Sequence, residues 1–178
     1  MDPSSLGEVL DCILRVGAVT GTEARARTVV DGLNARLAAV AESVPESPRP
    51  RTFALEWSDP PFNGGHWVPE MIERAGGEAV LASRGTPSVR VTWEQVAAAS
   101  PEVVVFMPCG YDLQGAVDEA KALLERAELA EAALFAVDAS SYFSRPGPRL
   151  VDGVEILASA LHPEAGRQVA AGTVARLR

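Results

Sequence analysis

Histidine and cysteine are scarce in this 178-residue chain, with two of each. Cys12 and Cys109 lie far apart, which suits neither a disulfide framework nor a paired-ligand zinc motif. Basic residues are outnumbered by acidic ones: the net charge is -8 and the pI about 4.8. Phosphate-backbone affinity rests on clustered Lys and Arg, so nucleic acid is not an expected partner. No apolar run approaches the ~20 residues needed to cross a bilayer. Direct membrane insertion is therefore not expected, and contact with a membrane would come through a partner. The opening Met1-Asp2-Pro3-Ser4-Ser5 lacks a basic region, and the apolar stripe after it is broken by Glu8, Asp11 and Arg15, unlike an export signal. As written, the chain is expected in the cytoplasm, or outside it if it is a fragment of an exported protein. No nucleophile elbow, phosphate-binding glycine loop or dinucleotide fingerprint occurs, so no enzyme activity, catalytic residue or cofactor is expected.

What is present is core-forming. Hydrophobic residues make up 47% of the chain and charged ones 22%, enough to bury the core of one domain with an appendage. Leu6, Val9, Leu10, Ile13 and Leu14 recur at helical spacing behind a Ser4 or Ser5 cap, which predicts a first helix ending before Gly17. Val29, Val30, Leu33, Leu37 and Val40 predict a longer helix over Glu23 to Glu42, about 30 Å at ~1.5 Å per residue. Pro45, Pro48 and Pro50, with the polar Glu46, Ser47, Arg49 and Arg51, forbid its continuation and mark a boundary.

Beyond that boundary strands and helices alternate. Strands are expected at Thr52 to Trp57, Ala79 to Ala82, Glu102 to Met107 and Ala133 to Val137. Helices are expected from Pro69 to Ala75, behind a Thr92 to Gln95 capping box to Ala99, from Leu113 to Ala127, and from Leu150 to Leu161. The order implies an α/β fold, a mostly parallel sheet with helices on both faces, preceded by a long helix.

Ligands of open parallel sheets bind beyond the carboxyl ends of the strands, here the loops 58–66, 108–112 and 138–149. Trp57, Phe62, Trp67, Tyr111, Tyr142 and Phe143 fall at or beside them, six of the ten aromatics. Such rings stack on a large flat ligand, pack under a partner, or merely cover the ends of the core. Pro60 and Pro61 stiffen the first loop, and the helix beginning near Pro69 offers N–H groups that would favour an anionic ligand group. Arg145 could pair with a phosphate or carboxylate, and Arg149 could do so or merely cap the sheet. His66, Cys109 and Asp59 are one set of metal donors on adjacent loops, and Cys109 with His66 one nucleophile–base pair. Spacing fixes the geometry of neither, and no metal site is expected.

The run Glu56 to Gly77, above all Trp57-Ser58-Asp59-Pro60-Pro61-Phe62 with Gly64 to Trp67 and Ala75-Gly76-Gly77, resembles the second lobe of cobalamin-binding proteins of ABC transporters. Val91 to Val96 before Ser100 to Val105, then Cys109-Gly110-Tyr111, Tyr142-Phe143 and Arg145 to Arg149, follow in the same order as in that family, the cobalamin and iron-siderophore type of substrate-binding protein. The resemblance implies a carboxyl-terminal lobe over 46–178, a rigid connecting helix over 22–45, and a remnant of an amino-terminal lobe over 1–21. It implies a ligand of the cobalamin or metal-chelate kind, contacted by Trp57, Asp59, Phe62, His66, Trp67, Tyr111, Ser141, Tyr142 and Arg145. Ser141 stands where some members have an acidic contact. Docking on an ABC permease is implied through Glu70. A chain lacking most of one lobe is expected to bind weakly and to pair with a separate amino-terminal lobe or as a homodimer. The alternative is a non-transport interaction module or a vestigial binding protein.

Overall fold

The computed structural model describes residues 1–44 and 48–178. Pro45, Glu46 and Ser47, part of the expected boundary, lie outside the described residues. Helix α1 spans Leu6–Thr20 and helix α2 spans Glu23–Ser43. The Ser5 side chain accepts from the Glu8 N–H at 3.2 Å, closing the start of α1. The helix runs past Gly17 and stops at Gly21, whose φ of 67° is left-handed. Gly17 is a crossing point instead: a Cβ there would lie 2.4 Å from the Ala26 Cβ on α2.

The sheet is built from β1 (Arg51–Ser58), β2 (Pro61–Asn63), β3 (Glu78–Ala79), β4 (Val103–Phe106), β5 (Ala133–Val137) and β6 (Val174–Arg176). β3, β4 and β5 run parallel to their neighbours, in the spatial order β3-β1-β4-β5. β2 and β6 add antiparallel pairs to β1 and β5. Because β1 connects onward to β3 on one side while β4 lies on the other, the order reverses between β1 and β4. That reversal opens a crevice at their carboxyl ends.

Side-chain alternation divides the core between the two faces. Ala54, Val103, Val105, Phe135 and Val137 point to one face. There they meet α1, α2, α3 (Val68–Arg74) and α7 (Arg149–Leu161) through Leu6, Val9, Leu33, Val40, Met71, Leu150 and Leu157. Phe53, Leu55, Val104, Phe106, Leu134 and Ala136 point to the other, against α4 (Trp93–Ala99), α5 (Leu113–Ala120) and the turns after it. Each fully buried Phe or Leu of these layers contributes roughly 1.5–3 kcal/mol relative to exposure. Residues 1–21 thus share one packed core with the α/β lobe. Among the described residues no helix is long and apolar enough to cross a membrane.

The expected capping box is present: Thr92 Oγ1 accepts from the Gln95 N–H at 3.2 Å and Gln95 Oε1 from the Thr92 N–H at 2.8 Å. Two expectations are corrected. α5 ends at Ala120 and tightens into 3-10 turns over Lys121–Glu125 and Ala127–Leu129. The Arg178 guanidinium donates to the Leu124 and Leu129 carbonyls at 2.5 and 2.6 Å. The strand expected over Ala79 to Ala82 is Glu78–Ala79, because Leu81 takes φ 61° and turns the chain away. Its carbonyl accepts from Asn63 Nδ2 at 2.5 Å, while Asn63 Oδ1 accepts from the Val89 N–H at 2.7 Å, which fastens the segment 81–89 along β2.

Candidate functional site

The crevice at the β1/β4 reversal is shaped by a defect in β1. Leu55 pairs with Asn63 and Trp57 with Phe62, so Glu56 is the extra residue of a β-bulge at the carboxyl end of a central strand. Bulges of this kind re-aim side chains beside binding sites. Glu56 lines a concavity of about 290 Å³ with His66, Trp67, Ser88, Phe143 and Ser144, closed on one side by Met1 to Pro3. That volume is at the small end of the range for ligand pockets.

Each wall is held from outside. The Trp67 indole N–H donates to the Phe143 carbonyl at 2.9 Å, tying the first loop to the third while the ring stays 9% exposed. His66 has φ 54°, a conformation that costs a non-glycine residue roughly 1–2 kcal/mol. It is clamped by the 85–86 turn: its N–H donates to the Thr86 carbonyl at 2.6 Å, and its carbonyl accepts from the Gly85 N–H at 2.9 Å. Gly65 is obligatory there, since a Cβ would stand 2.2 Å from the Ser88 nitrogen. The His66 and Trp67 rings lie 5.7 Å apart at 41°.

Cys109, at the end of β4, donates its thiol hydrogen to Glu56 Oε1 at 3.0 Å. Partial burial pushes the thiol up from its ordinary value, and the Glu56 carboxylate pushes the same way, against a lowering hydrogen bond with Ser144. The protonated thiol is therefore favoured, as a hydrogen-bond donor to Glu56. Among the described residues, no three His, Cys, Asp or Glu side chains are grouped to hold a metal ion.

A second aromatic element, outside the lining of this concavity, stands at the same end of β1. Trp57 is 42% exposed, packs on Tyr111 with centroids 6.1 Å apart at 57°, and is fixed by its N–H to the Asp59 carbonyl at 3.0 Å. Phe62, half-buried, is its cross-strand partner. The Ser140 N–H donates to the Tyr111 carbonyl at 3.0 Å, joining the second and third loops.

Other expected contacts are not gathered here. Asp59 lines a separate hollow with Arg126 and Glu128. Tyr142 lines another, with Asp152, Glu155 and Thr173. The cause is α6 (Ala139–Tyr142), a short helix closed by Asp138 Oδ1 accepting from the Ser141 N–H at 2.9 Å. Successive residues of a helix point about 100° apart, so Tyr142 diverges from Phe143. Ser141 sits half-buried within that helix, and Arg145 is exposed, with no hydrogen bond or ion pair among the described residues.

Glu70 is corrected from a docking residue to an internal tie. It is 6% exposed; one carboxylate oxygen accepts from the Leu6 N–H at 2.9 Å and the other from Arg74 Nε at 2.9 Å. The expected anion-favouring start of α3 is corrected too. The Val68 N–H is taken by the Gly65 carbonyl at 2.9 Å, and Pro69 has none. Sequence reasoning missed Glu56, Ser88 and Ser144 as lining residues. A charged residue between Leu55 and Trp57 was the available signal for the first.

The sequence pattern of the periplasmic binding protein family matches residues 1–136. A cobalamin-binding protein of Halobacterium salinarum is 26% identical over 167 residues, which cover 89% of this chain and 45% of that protein. The chain thus spans about half the length of that relative. A periplasmic binding protein from Veillonella parvula superimposes with a TM-score of 0.74 at 23% identity, over 89% of this chain and 57% of that one. A periplasmic heme-binding protein from Pseudomonas aeruginosa superimposes with a TM-score of 0.72 at 23% identity, over 97% and 65%.

Proposed function

The chain belongs to the periplasmic binding protein family, and we propose that it is the ligand-gripping half of an uptake protein for cobalamin or a related metal-bearing macrocycle. A family of binding proteins leaves no catalytic step to assign. The observation that carries the proposal is the crevice itself. Trp57 with Tyr111 on one side and His66 with Trp67 on the other flank the β1/β4 reversal, the place where open parallel sheets hold ligands. The Trp57 ring, 42% exposed, offers a face that suits a wide, flat ring. The relative named for cobalamin supports that choice over a small solute.

A concavity of about 290 Å³ covers only part of such a ligand. The reading therefore includes a second surface: a separate amino-terminal lobe or a second copy, and an ABC permease that receives the ligand outside the cytoplasmic membrane. Exposed Val16 and Val19 on α1, 47% and 88% accessible, support association there. Sedimentation of the purified chain distinguishes a homodimer from a monomer awaiting another lobe.

The test is titration of the full chain with cobalamin and with haem, read by ligand absorbance and by quenching of Trp57 and Trp67 fluorescence. Trp57→Ala is expected to weaken cobalamin binding by about tenfold, since a base- or ring-stacking aromatic contributes ~1–3 kcal/mol. No binding at high micromolar ligand, with or without a supplied amino-terminal lobe, overturns the proposal.

A further inference from the structure

We propose that Glu56 is a specificity residue: its carboxylate selects macrocycles whose edge carries neutral amide donors and rejects those whose edge carries carboxylates. This rests on the cobalamin-type reading above and adds to it the charge class of the ligand.

Three observations converge on the residue. The bulge spends the regularity of a central strand on this one position, placing a charged side chain at the carboxyl end of β1, between Leu55 and Trp57. The side chain lines the concavity beside His66 and Trp67. Its Oε1 is already supplied with a hydrogen by Cys109 at 3.0 Å, which fixes the carboxylate and leaves Oε2 with no protein donor among the described residues. A carboxylate offers about four acceptor directions. An amide N–H of a ligand satisfies one of them with a charge-assisted hydrogen bond.

The charged side chains of the wall are acidic: Asp2 and Glu56 line the concavity, and among the described residues no Arg or Lys side chain does. The short helix α3 presents no free N–H at its first two positions. Arg145 is exposed between the lining residues Ser144 and Pro146 and does not itself line the concavity. A ligand carboxylate near Glu56 would meet an unscreened like charge, worth about tenfold or more in affinity at an effective dielectric near 20.

The experiment compares corrinoids sharing one ring: cobinamide, with its peripheral amides intact, and cobyrinic acid, in which they are carboxylates. Both are titrated by calorimetry into the full chain, wild type and Glu56→Gln, at low and high salt. Wild type is expected to prefer cobinamide by about tenfold or more, with the gap narrowing in high salt. Glu56→Gln keeps the shape and is expected to shrink the gap to about threefold or less, chiefly by improving cobyrinic acid. Glu119→Gln, which removes an exposed charge of α5 outside the concavity, is the control expected to leave the gap in place, and circular dichroism checks that both variants fold. Equal affinity for the two corrinoids in wild type, or an unchanged gap in Glu56→Gln, overturns the role of Glu56 and leaves the ligand class standing. Failure of wild type to bind either corrinoid, with or without a supplied amino-terminal lobe, overturns the ligand class as well.

Discussion

Replacing Glu70 by Ala removes a side chain that joins two helices from inside. Its carboxylate is 6% exposed and accepts the Leu6 N–H at 2.9 Å, one of the first N–H groups of α1, which have no partner within the helix. Leu6 is itself 1% exposed, so water does not readily replace the lost acceptor. A hydrogen bond to a charged group contributes about 1.5–3 kcal/mol, and an unsatisfied buried donor costs a similar amount. The pair with Arg74, whose side chain is 43% exposed, adds only about 0.3–0.5 kcal/mol. A loss of roughly 2–3 kcal/mol follows, or about 4–12 °C in melting temperature for a chain of this size. Glu70→Gln, which keeps an acceptor, should lose less than half of that. Glu73→Ala on the same helix removes the same charge from a carboxylate that pairs with Arg84 at the surface, and should change stability by less than about 1 kcal/mol. Thermal unfolding followed by circular dichroism at low and high salt is the assay, and the Glu70 effect should persist in salt because the bond is buried. A Glu70→Ala variant melting with the Glu73→Ala control would refute the internal role and return Glu70 to the list of docking residues.

Alkylation of Cys109 should begin at higher pH than alkylation of a free cysteine, because burial and the Glu56 carboxylate both raise the thiol. A raised value means that the protonated form is favoured in the folded state. The Cys109–Glu56 bond therefore contributes stability below the ordinary thiol range and loses it as pH rises through the raised value. Peptide mapping of iodoacetamide-treated protein, which separates Cys109 from Cys12, should show the profile moving down in Glu56→Gln; an unmoved profile argues against the bond. Gly65→Ala should cost about 1–3 kcal/mol or more in urea unfolding. The new Cβ would meet the Ser88 nitrogen at 2.2 Å and the Thr86 oxygen at 2.7 Å, backbone atoms that cannot swing aside. An unaltered urea midpoint would mean that the 86–88 segment is not packed on the first loop.

The central strands were legible because burial on both faces writes itself as a continuous apolar run, as in Val103 to Met107 and Ala133 to Val137. Thr92 and Gln95 announced α4 through local chemistry alone. β2 and β6 were not legible, since each is a three-residue strand defined by its neighbour rather than by a pattern of its own. The site divided along the same line. The loops that carry His66, Trp67, Trp57 and Tyr111 were legible because local sequence places them at the strand ends. Glu56 was missed because a bulge exists only in the register between two strands. Tyr142 was grouped with Trp57 because both fall at or beside loops that follow strands, and the single turn of α6 sends it to a separate hollow. Glu70 was assigned to the surface because nothing local reveals that the amino end of α1 lies against it.

The two aromatic elements of the rim rest on opposite layers of the molecule. Tyr111 packs against the core that holds Phe53 and Phe106, whereas Trp67 and Phe143 belong to the core of α1, α3 and α7. A ligand touching both would bridge the layers across the carboxyl end of the sheet, with Glu56 and Cys109 between them. That bridge stands on a stiff base. Arg36 of α2 pairs with Asp152 and, at 2.6 Å, with Glu155 of α7, while Arg167 donates to the Ala39 carbonyl at 3.0 Å and Ser43 Oγ at 2.9 Å. The long helix is thereby fastened along its carboxyl half to the helix that packs beneath the site. On the proposed reading, a force applied to α2 by a second lobe would pass to α7 and from there to α3 beside Trp67, so that α2 would move with the lobe and not as a free tether.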